Sequence, residues 1–300
     1  MLACPQCFSP LPAGCACCPP GAHDEPVPDL YVPDPGAGED VAVTHTVRAF
    51  YEERPFPDYR DDDDLGSLVR NGRQNAFTRA LDEEIPPGAT VLEAGCGTGQ
   101  MSNFLAVGGR RVVGLDLSMA SLSRAEAFRQ RAAIGGVKFV RGNLFRPPVA
   151  PGTVDVVVSN GVLHHTADCR RAFAAVGQCV RPGGYLVVGL YNRLGRLLLP
   201  LLRAEHARGQ TDRERAWFHD QHQHPRETRH TVDEVLGWLE EDGFDFVSAS
   251  PPVALGAAPG PLFVPSSPGG WLGRLATQLT WLSRARDGGL WVTVGRKQGA

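Results

Sequence analysis

Four residues in one short stretch could place a bound ligand close to the backbone. Residues 91–100 read Val-Leu-Glu-Ala-Gly-Cys-Gly-Thr-Gly-Gln, so an apolar run meets an acid, Glu93, and then Gly95, Gly97 and Gly99. Glycines without Cβ atoms let a bulky ligand approach the backbone, and a helix starting at about Met101 would offer unpaired N–H groups. The stretch therefore predicts a strand, a nucleotide-type cofactor loop and a helix.

The glycine spacing discriminates between cofactors. A dinucleotide loop, GxGxxG, places its third glycine five positions after the first, whereas Gly99 lies 4 residues after Gly95. A carboxylate at Glu93 would repel a phosphate but hold an ammonium group. These features favour S-adenosylmethionine, which carries an amino group and a sulfonium and no phosphate.

The segments that follow continue a β-α-β-α-β order. A second strand, Arg111–Asp116, ends in an acid 23 residues after Glu93, where a carboxylate could accept both ribose hydroxyls. Ser118 is a candidate N-cap for a helix to about residue 132. A third strand, Val137–Arg141, precedes Gly-Asn-Leu at 142–144, at the height of an adenine edge.

At this point the chain resembles the class I S-adenosylmethionine-dependent methyltransferases, in the branch of the ubiquinone and menaquinone methylases. The likeness covers about a third of the chain and rests on residues 91–100, 113–118, 142–144, 154–166 and 180–188. It implies a Rossmann-like, doubly wound α/β fold, with seven strands, mostly parallel, and an antiparallel last strand. The family usually has aspartate where this chain has Asn143, whose amide oxygen could still accept a hydrogen bond from the adenine amino group.

The resemblance and the spacing together give ten candidate cofactor-binding residues. They are Glu93, Gly95, Gly97, Gly99, Asp116, Leu117, Asn143, Leu144, Asn160 and Tyr51.

An aromatic and proline-rich segment, residues 50–59, precedes the predicted fold. The resemblance implies that it caps the cofactor cleft, with Tyr51 or Tyr59 facing the sulfonium or the methionine carboxylate. Packing of both rings on the core is the alternative. Residues 43–51 and 71–84 are each predicted to form one helix, and the acid run 61–64 between them to be a solvated loop.

Cysteines crowd the N-terminus, where 5 of the 8 in the chain lie within the first 18 residues. Cys4 and Cys7 form one pair and Cys15 and Cys18 another, a spacing that suits a tetrahedral structural zinc. Cys17, Cys18 and His23 compete as the fourth ligand, and a reduced tail without metal is the alternative. Cys169 and Cys179 are expected in the core.

Three parts follow from these assignments: a cysteine module and linker at 1–30, a cap at 31–84, and a methyltransferase domain at 85–300. Two insertions, 191–230 and 251–289, interrupt the domain. The first emerges at the ligand-binding edge of the sheet and is the candidate substrate lid. In the second, the apolar residues recur at helical spacing and predict one amphipathic helix; they are Trp271, Leu272, Leu275, Leu279 and Leu282.

Composition excludes some partners. A net charge of −3 gives no general attraction for nucleic acid or an anionic membrane. With no signal segment and no apolar run of spanning length, we expect a cytoplasmic protein without a transmembrane helix. The sequence does not determine the oligomeric state.

Methyl transfer from a sulfonium is an in-line displacement, which needs alignment more than side-chain chemistry. Where the acceptor must lose a proton, His164 and His165, after the fourth strand, and His219, in the first insertion, are the candidate bases. A structural role for the first two and a solvated loop for the third are the alternatives. The sequence does not distinguish O, N, C or S as the methylated atom.

The sequence therefore favours a methyltransferase acting on a small-molecule or lipid-like acceptor. One alternative is an RNA or protein methyltransferase that reads its substrate through the cysteine module. The other is a catalytically silent module that binds the cofactor.

Overall fold

The computed structural model describes residues 2–11, 17, 25–33, 38–53, 55, 58–197, 226–282 and 289–299. Its strands are β1 (Thr90–Ala94), β2 (Arg111–Asp116), β3 (Val137–Arg141), β4 (Val154–Asn160), β5 (Val180–Tyr191), β6 (Phe244–Ser250) and β7 (Leu290–Lys297). Its α-helices are α1 (Gly38–Glu53), α2 (Leu65–Gln74), α3 (Ala76–Glu84), α4 (Gln100–Val107), α5 (Met119–Arg131), α6 (Cys169–Gln178), α7 (Val232–Glu241) and α8 (Trp271–Thr280), with a 3₁₀ turn at Leu163–His165.

In the described part of the chain these strands form one seven-stranded sheet in the order β3-β2-β1-β4-β5-β7-β6. The first five strands in that order are parallel, and β7 runs antiparallel to both β5 and β6. The predicted Rossmann-like fold is confirmed. The chain winds outward in both directions from β1, so the carboxyl ends of β1 and β4 flank the crevice where such sheets bind ligands.

The central strands are buried on both faces, as parallel strands between two helical layers must be. Val91 and Leu92 are adjacent on β1 and fully buried, yet they belong to different apolar clusters on opposite faces of the sheet. Alternation of side chains along each strand therefore decides which face of the sheet each residue meets. The parallel registers of β1 with β2 and with β4 align the ends of these strands, and with them the polar residues that follow.

The single helix predicted over 71–84 is wrong, because Asn75 divides it into α2 and α3. Its backbone is extended, its N–H donates to the Asn71 carbonyl at 3.1 Å, and its side-chain oxygen accepts from Thr78 N at 3.0 Å. Asparagine competes with the helix for backbone hydrogen bonds and so favours caps over helix interiors. Asp64, in the acid run predicted to be only a solvated loop, caps the start of α2 through Ser67.

The N-terminal segment packs on the domain. Leu30 N donates to the Arg141 carbonyl at 2.9 Å and Arg141 N donates to the Pro28 carbonyl at 2.9 Å, which extends the sheet beyond β3. Ala3 N donates to the Pro148 carbonyl at 3.0 Å, and Leu2 forms a bridge with Val149. The residues around the first cysteine pair therefore lie against the loop between β3 and β4.

The predicted amphipathic helix in the second insertion exists as α8, but its apolar side faces outward. Cys169 and Cys179 are buried, as predicted. None of the described helices is both long and apolar enough to cross a bilayer.

Candidate functional site

A cavity of about 1020 Å³ opens at the carboxyl ends of β1, β2 and β4. It continues between α1, α2 and α3 on one side and residues 250–262 on the other. Nine of the ten predicted cofactor residues line it, Gly99 being the exception. The sequence pattern thus identified one end of a single, much larger space.

The glycines after β1 have different roles. Gly95 and Gly97 line the cavity with φ of 87° and 53°, and a Cβ on Gly95 would lie 2.3 Å from the Val162 side chain. Gly99 begins α4 with φ of 70°, and a Cβ there would meet the Phe139 ring at 2.5 Å. Gly95 and Gly97 therefore keep the backbone accessible to a ligand, whereas Gly99 lets the helix pack closely on the sheet.

Glu93 is a buried acid at the end of β1, only 6% exposed, whose Oε2 accepts from the Ser102 hydroxyl. Burial raises the pKa of Glu93 to about 8, partly offset by the Ser102 hydrogen bond and reinforced by the nearby Asp116 charge. A cation in the cavity would favour the ionised form and lower this pKa. A buried acid at this position suits an ammonium group.

Asp116 ends β2 and joins two parts of the site. One carboxylate oxygen accepts from Gly97 N at 2.7 Å and the other accepts from Ser118 N at 2.9 Å. Burial raises the pKa of Asp116, while these backbone donors lower it. Each oxygen keeps a second lone pair for a ligand hydroxyl. Ser118 caps α5 through Ser121 N, as predicted.

Asn143 is held by its neighbours on the loop after β3. Its Nδ2 donates to the Val32 carbonyl at 3.1 Å, and its Oδ1 accepts from Phe145 N at 3.0 Å. The residue lines the cavity together with Leu144 and is nearly fully buried. The amide therefore orders the loop, and its oxygen can accept one further hydrogen bond.

Helix α1, which lines the cavity, is attached to α5 through Glu52, a residue that the sequence did not single out. Its two carboxylate oxygens accept from Met119 N at 2.8 Å and Ala120 N at 3.1 Å, at the positive end of α5. Tyr51, the preceding residue, lines the cavity. A carboxylate that follows an aromatic residue in a short helix carries no distinctive sequence signal.

Tyr59 also lines the cavity, but its ring stacks on Phe128 with centroids 4.1 Å apart. Its hydroxyl accepts from Asn103 Nδ2 at 3.1 Å, and burial raises its pKa. The packing alternative predicted for Tyr59 therefore holds, and the ring forms a fixed part of the wall.

Asn160 ends β4 beside β5. Its Oδ1 is buried and has no hydrogen-bond partner in the described structure. A Cβ added to Gly189, on β5, would lie 1.9 Å from this oxygen. Asn160 thus lines the cavity at the carboxyl end of β4, the strand between β1 and β5.

The two predicted histidines differ in position. His165 lines the cavity, and its Nδ1 lies 2.7 Å from the Arg226 carbonyl, which can only accept. A neutral His165 therefore carries its proton on Nδ1, which makes Nε2 the basic nitrogen. His164 is fully buried against Tyr191, with ring centroids 3.8 Å apart, and does not line the cavity. His219 lies outside the described residues.

The ends of the two insertions contact one another next to the rings of His164 and His165. His230 N donates to the Tyr191 carbonyl at 2.9 Å, and Asn192 N donates to the Gly289 carbonyl at 2.8 Å. A bidentate ion pair links Arg196 to Glu227, and Asn192 Nδ2 donates to Gln278 Oε1 at 2.9 Å. Tyr191 lines the cavity, and it could have been found as the aromatic residue at the carboxyl end of an apolar strand.

The sulfurs of Cys4, Cys7 and Cys17 lie within 4.8 Å of one another. Thiolates around a tetrahedral zinc are about 3.8 Å apart, so the three fit one ion after a small adjustment. Cys15 and Cys18, the other predicted ligands, lie outside the described residues, as does His23. The structure thus groups Cys17, one of the competing fourth ligands, with the first pair.

Comparison with known proteins indicates a methyltransferase domain in the central part of the chain. Residues 92–188 match the family described as a methyltransferase domain. An uncharacterised protein of Synechococcus sp. is 26% identical over 252 residues, which cover 70% of this chain and 60% of that protein. An uncharacterised methyltransferase of Mycobacterium tuberculosis is 34% identical over 113 residues, 37% of this chain and 56% of that protein.

Among solved structures, the magnesium protoporphyrin IX methyltransferase of Synechocystis with bound S-adenosylhomocysteine is similar. It superposes with a TM-score of 0.52 at 16% identity, over 85% of this chain and 100% of that one, and supports the fold. The chain spans about three fifths of the length of the two sequence relatives.

Proposed function

We propose that this chain, whose central part is a class I S-adenosylmethionine-dependent methyltransferase domain, methylates a small acceptor with a large apolar surface. The observation that supports the acceptor class is the size and shape of the cavity. At about 1020 Å³ it reaches the upper end of the range usual for small-molecule sites, about 300–1,000 Å³. One cofactor occupies only part of such a volume.

The cofactor would bind at the end that contains Glu93. Glu93 would hold the amino group, Asp116 the ribose hydroxyls, and the loop at Asn143 and Leu144 the adenine. S-adenosylmethionine supplies there a methyl group made electrophilic by its sulfonium. The buried carboxyl group of Glu93 and the glycine backbone, which has no Cβ atoms in the way, are the features that fit S-adenosylmethionine.

The remainder of the cavity, which we call the acceptor lobe, is lined by large apolar side chains together with polar residues of α2 and α3, among them Asn71, Asn75 and Arg79. Its walls come from α2, α3, α4, β7 and the second insertion. They include Leu68, Phe77, Met101, Phe104, Leu262 and Val292. The apolar walls exclude water from the line of transfer and suit an apolar acceptor, and a net charge of −3 gives no general attraction for RNA.

The residues around the junction of the two lobes would align the acceptor. Asn160 would position the nucleophile through its side-chain amide, and Tyr191 would form the wall beneath it. His165 would take the proton of an acceptor that must lose one, since its Nδ1 is directed at the Arg226 carbonyl and its Nε2 is the basic nitrogen. His164 would hold the His165 ring in place by edge-to-face packing at 4.3 Å.

We also propose a structural zinc held by Cys4, Cys7 and Cys17 with a fourth ligand from the same segment. Leu2 and Ala3, next to Cys4, contact the loop residues Val149 and Pro148, which follow Asn143 by six and five positions. The metal would thus brace the adenine end of the cavity and take no part in the chemistry.

The test is a transfer assay with tritiated S-adenosylmethionine and extracts separated into organic-soluble, RNA and protein fractions. We expect label in the organic-soluble fraction only. Label in RNA or protein that is lost on deletion of residues 1–24 would support the reader alternative instead. Absence of both transfer and cofactor binding would leave the silent-module alternative.

A further inference from the structure

The acceptor lobe contains one strongly basic side chain. Among the described residues that line the cavity, Arg79 is the one arginine or lysine. On α3 it follows Ala76 by three positions and precedes Ala80, and both alanines also line the cavity, whereas Leu81 is fully buried in the core. Residues three and four positions apart lie on one face of a helix. Arg79 therefore lies on the cavity side of α3, with small side chains next to it.

Arg79 uses little of its hydrogen-bonding capacity within the described structure. Its Nη1 donates to the Arg73 carbonyl at 3.4 Å, and its Nε lies 3.9 Å from Glu83 Oε1, too far for a hydrogen bond. The side chains of Arg79 and Glu83 are 51% and 67% exposed, so their ion pair contributes little. Because a guanidinium group has five N–H donors, several remain for a ligand.

The other acids of α3 bind elsewhere. Asp82 pairs with Arg110, and the carboxylate of Glu84 accepts from two backbone N–H groups of the second insertion. Asp63, an acid that lines the cavity, accepts from the Ser67 hydroxyl at 2.9 Å. The charge of the arginine on the cavity side is therefore not neutralised by a close carboxylate among the described residues.

Polar and apolar side chains of the same helices line the acceptor lobe together. Asn71 and Asn75 precede Arg79 by eight and four positions and also line the cavity. The Asn75 Oδ1 accepts from Thr78 N at 3.0 Å, which leaves its Nδ2 as a donor. The apolar lining residues of α2, α3 and α4 are Leu68, Phe77, Met101 and Phe104. A ligand of this lobe therefore meets an apolar wall and a group of donors that includes one full positive charge.

We propose that Arg79 binds a carboxylate group of the methyl acceptor, which is therefore an amphipathic acid. The apolar part of the acceptor lies against Phe77 and Phe104, and its carboxylate pairs with the guanidinium group. One arginine balances the single charge of a carboxylate and can bind both of its oxygens, whereas a phosphate monoester would bring nearly two charges. This inference names the acceptor class of the same cavity and so rests on the proposed function.

The test is titration calorimetry of the full chain saturated with S-adenosylhomocysteine, with decanoate and 1-decanol as probes of equal chain length. We expect decanoate to bind about tenfold more tightly than 1-decanol, since Arg79 is half exposed and its charge is partly screened, and we expect high salt to reduce the difference. Arg79→Gln removes the charge and keeps an amide donor. This variant should lose the preference for decanoate and keep its affinity for 1-decanol.

Arg73→Gln is the matched control. Arg73 is an exposed arginine in the last turn of α2 that does not line the cavity, and it contacts Arg79 only through its backbone carbonyl, which the substitution keeps. This variant should prefer decanoate as the unmodified chain does, and both variants should keep their affinity for S-adenosylhomocysteine. A preference for decanoate that survives in Arg79→Gln, or that both variants lose, would overturn the proposal.

The same titrations separate this proposal from the proposed function. Equal affinity of the unmodified chain for decanoate and 1-decanol would refute only the carboxylate assignment. Binding of S-adenosylhomocysteine without binding of either probe would refute the apolar acceptor, and with it this inference. No binding of S-adenosylhomocysteine would refute the methyltransferase function itself.

Discussion

The two ends of the cavity were built in different ways. The cofactor end is formed by residues close to strand ends within a continuous stretch of about fifty residues, Glu93 to Leu144. The conformations of its glycines, acids and helix caps depend on residues close by in the sequence. The acceptor lobe brings together α2, α3, Tyr191 and residues 250–262 from across the chain. The first end is specified by backbone geometry and the second by long-range packing.

The contact between Glu84 and the second insertion illustrates the difference. Its carboxylate oxygens accept from Leu262 N at 2.8 Å and from Phe263 N at 2.9 Å, across 178 and 179 residues of sequence. This contact fixes a wall of the acceptor lobe, yet nothing local to Glu84 indicates it. Conservative changes at the cofactor end should therefore affect cofactor binding, and changes at the acceptor lobe should affect turnover. Four variants test this separation.

The largest effect is expected for His165→Asn. Asparagine can keep the hydrogen bond to the Arg226 carbonyl but lacks the basic nitrogen, so kcat should fall by about 10²–10⁴-fold for an acceptor that must lose a proton. Cofactor affinity should not change. The measurement is the pH profile of kcat together with the Kd of S-adenosylmethionine. His230→Asn, a buried histidine outside the cavity, is the control. An unaltered profile in His165→Asn would remove the base role.

At the cofactor end, Gly95→Ala should be the most damaging change. The left-handed backbone costs about 1–2 kcal/mol and displacement of Val162 about 1–3 kcal/mol more. Gly88→Ala is the matched control, since Gly88 has φ of 82° and nothing within 4 Å of a new Cβ. Chemical unfolding and cofactor titration of both variants separate the cost of the left-handed backbone from the cost of displacing Val162. Equal losses in the two would mean that the approach of Val162 to Gly95 does not matter.

Glu93→Gln should weaken S-adenosylmethionine binding by about 10- to 100-fold, because a charge-assisted hydrogen bond contributes about 1.5–3 kcal/mol. Binding to the unmodified chain should strengthen as the pH rises to about 8 and Glu93 ionises, and the variant should lose this dependence. Titration calorimetry from pH 6 to 9 measures both.

The same variant has the opposite effect on stability. Because folding raises the pKa of Glu93 from 4.5 to about 8, the folded state binds more protons across that interval and is destabilised as pH rises. Glu93→Gln should therefore raise Tm at pH 9 relative to the unmodified chain. Glu83→Gln, at an exposed site, should change neither quantity. A lower Tm at pH 9 in Glu93→Gln would contradict the assigned burial cost.

The smallest effect on the chemistry is expected from the cysteine module. Cys7→Ser should reduce bound zinc, measured by mass spectrometry of the intact chain, while cofactor affinity changes by less than about tenfold. Cys179→Ser, in the core, should keep the metal. Zinc retained in full by Cys7→Ser would exclude Cys7 from the ligands.

Features that depend on neighbouring residues could be predicted from the sequence, and features that depend on distant contacts could not. The bounds of β2 and β3 and the Ser118 cap could be predicted to the residue, because alternation and capping are local. The helix break at Asn75 and the Glu52 contact with α5 could not, since each depends on what the side chain meets after folding. For α8 the spacing predicted the helix, but the outward direction of its apolar face depends on buried contacts of Gln278 with distant residues.

In the proposed arrangement, one cavity holds the cofactor at Glu93 and leaves the acceptor lobe open beyond Asn160. The decisive measurement is a crystal structure with S-adenosylhomocysteine. We expect the amino group at Glu93, the ribose at Asp116 and the sulfur directed past Asn160 and His165 towards Phe77 and Leu262. A sulfur directed away from the acceptor lobe, or a cofactor bound elsewhere, would contradict it.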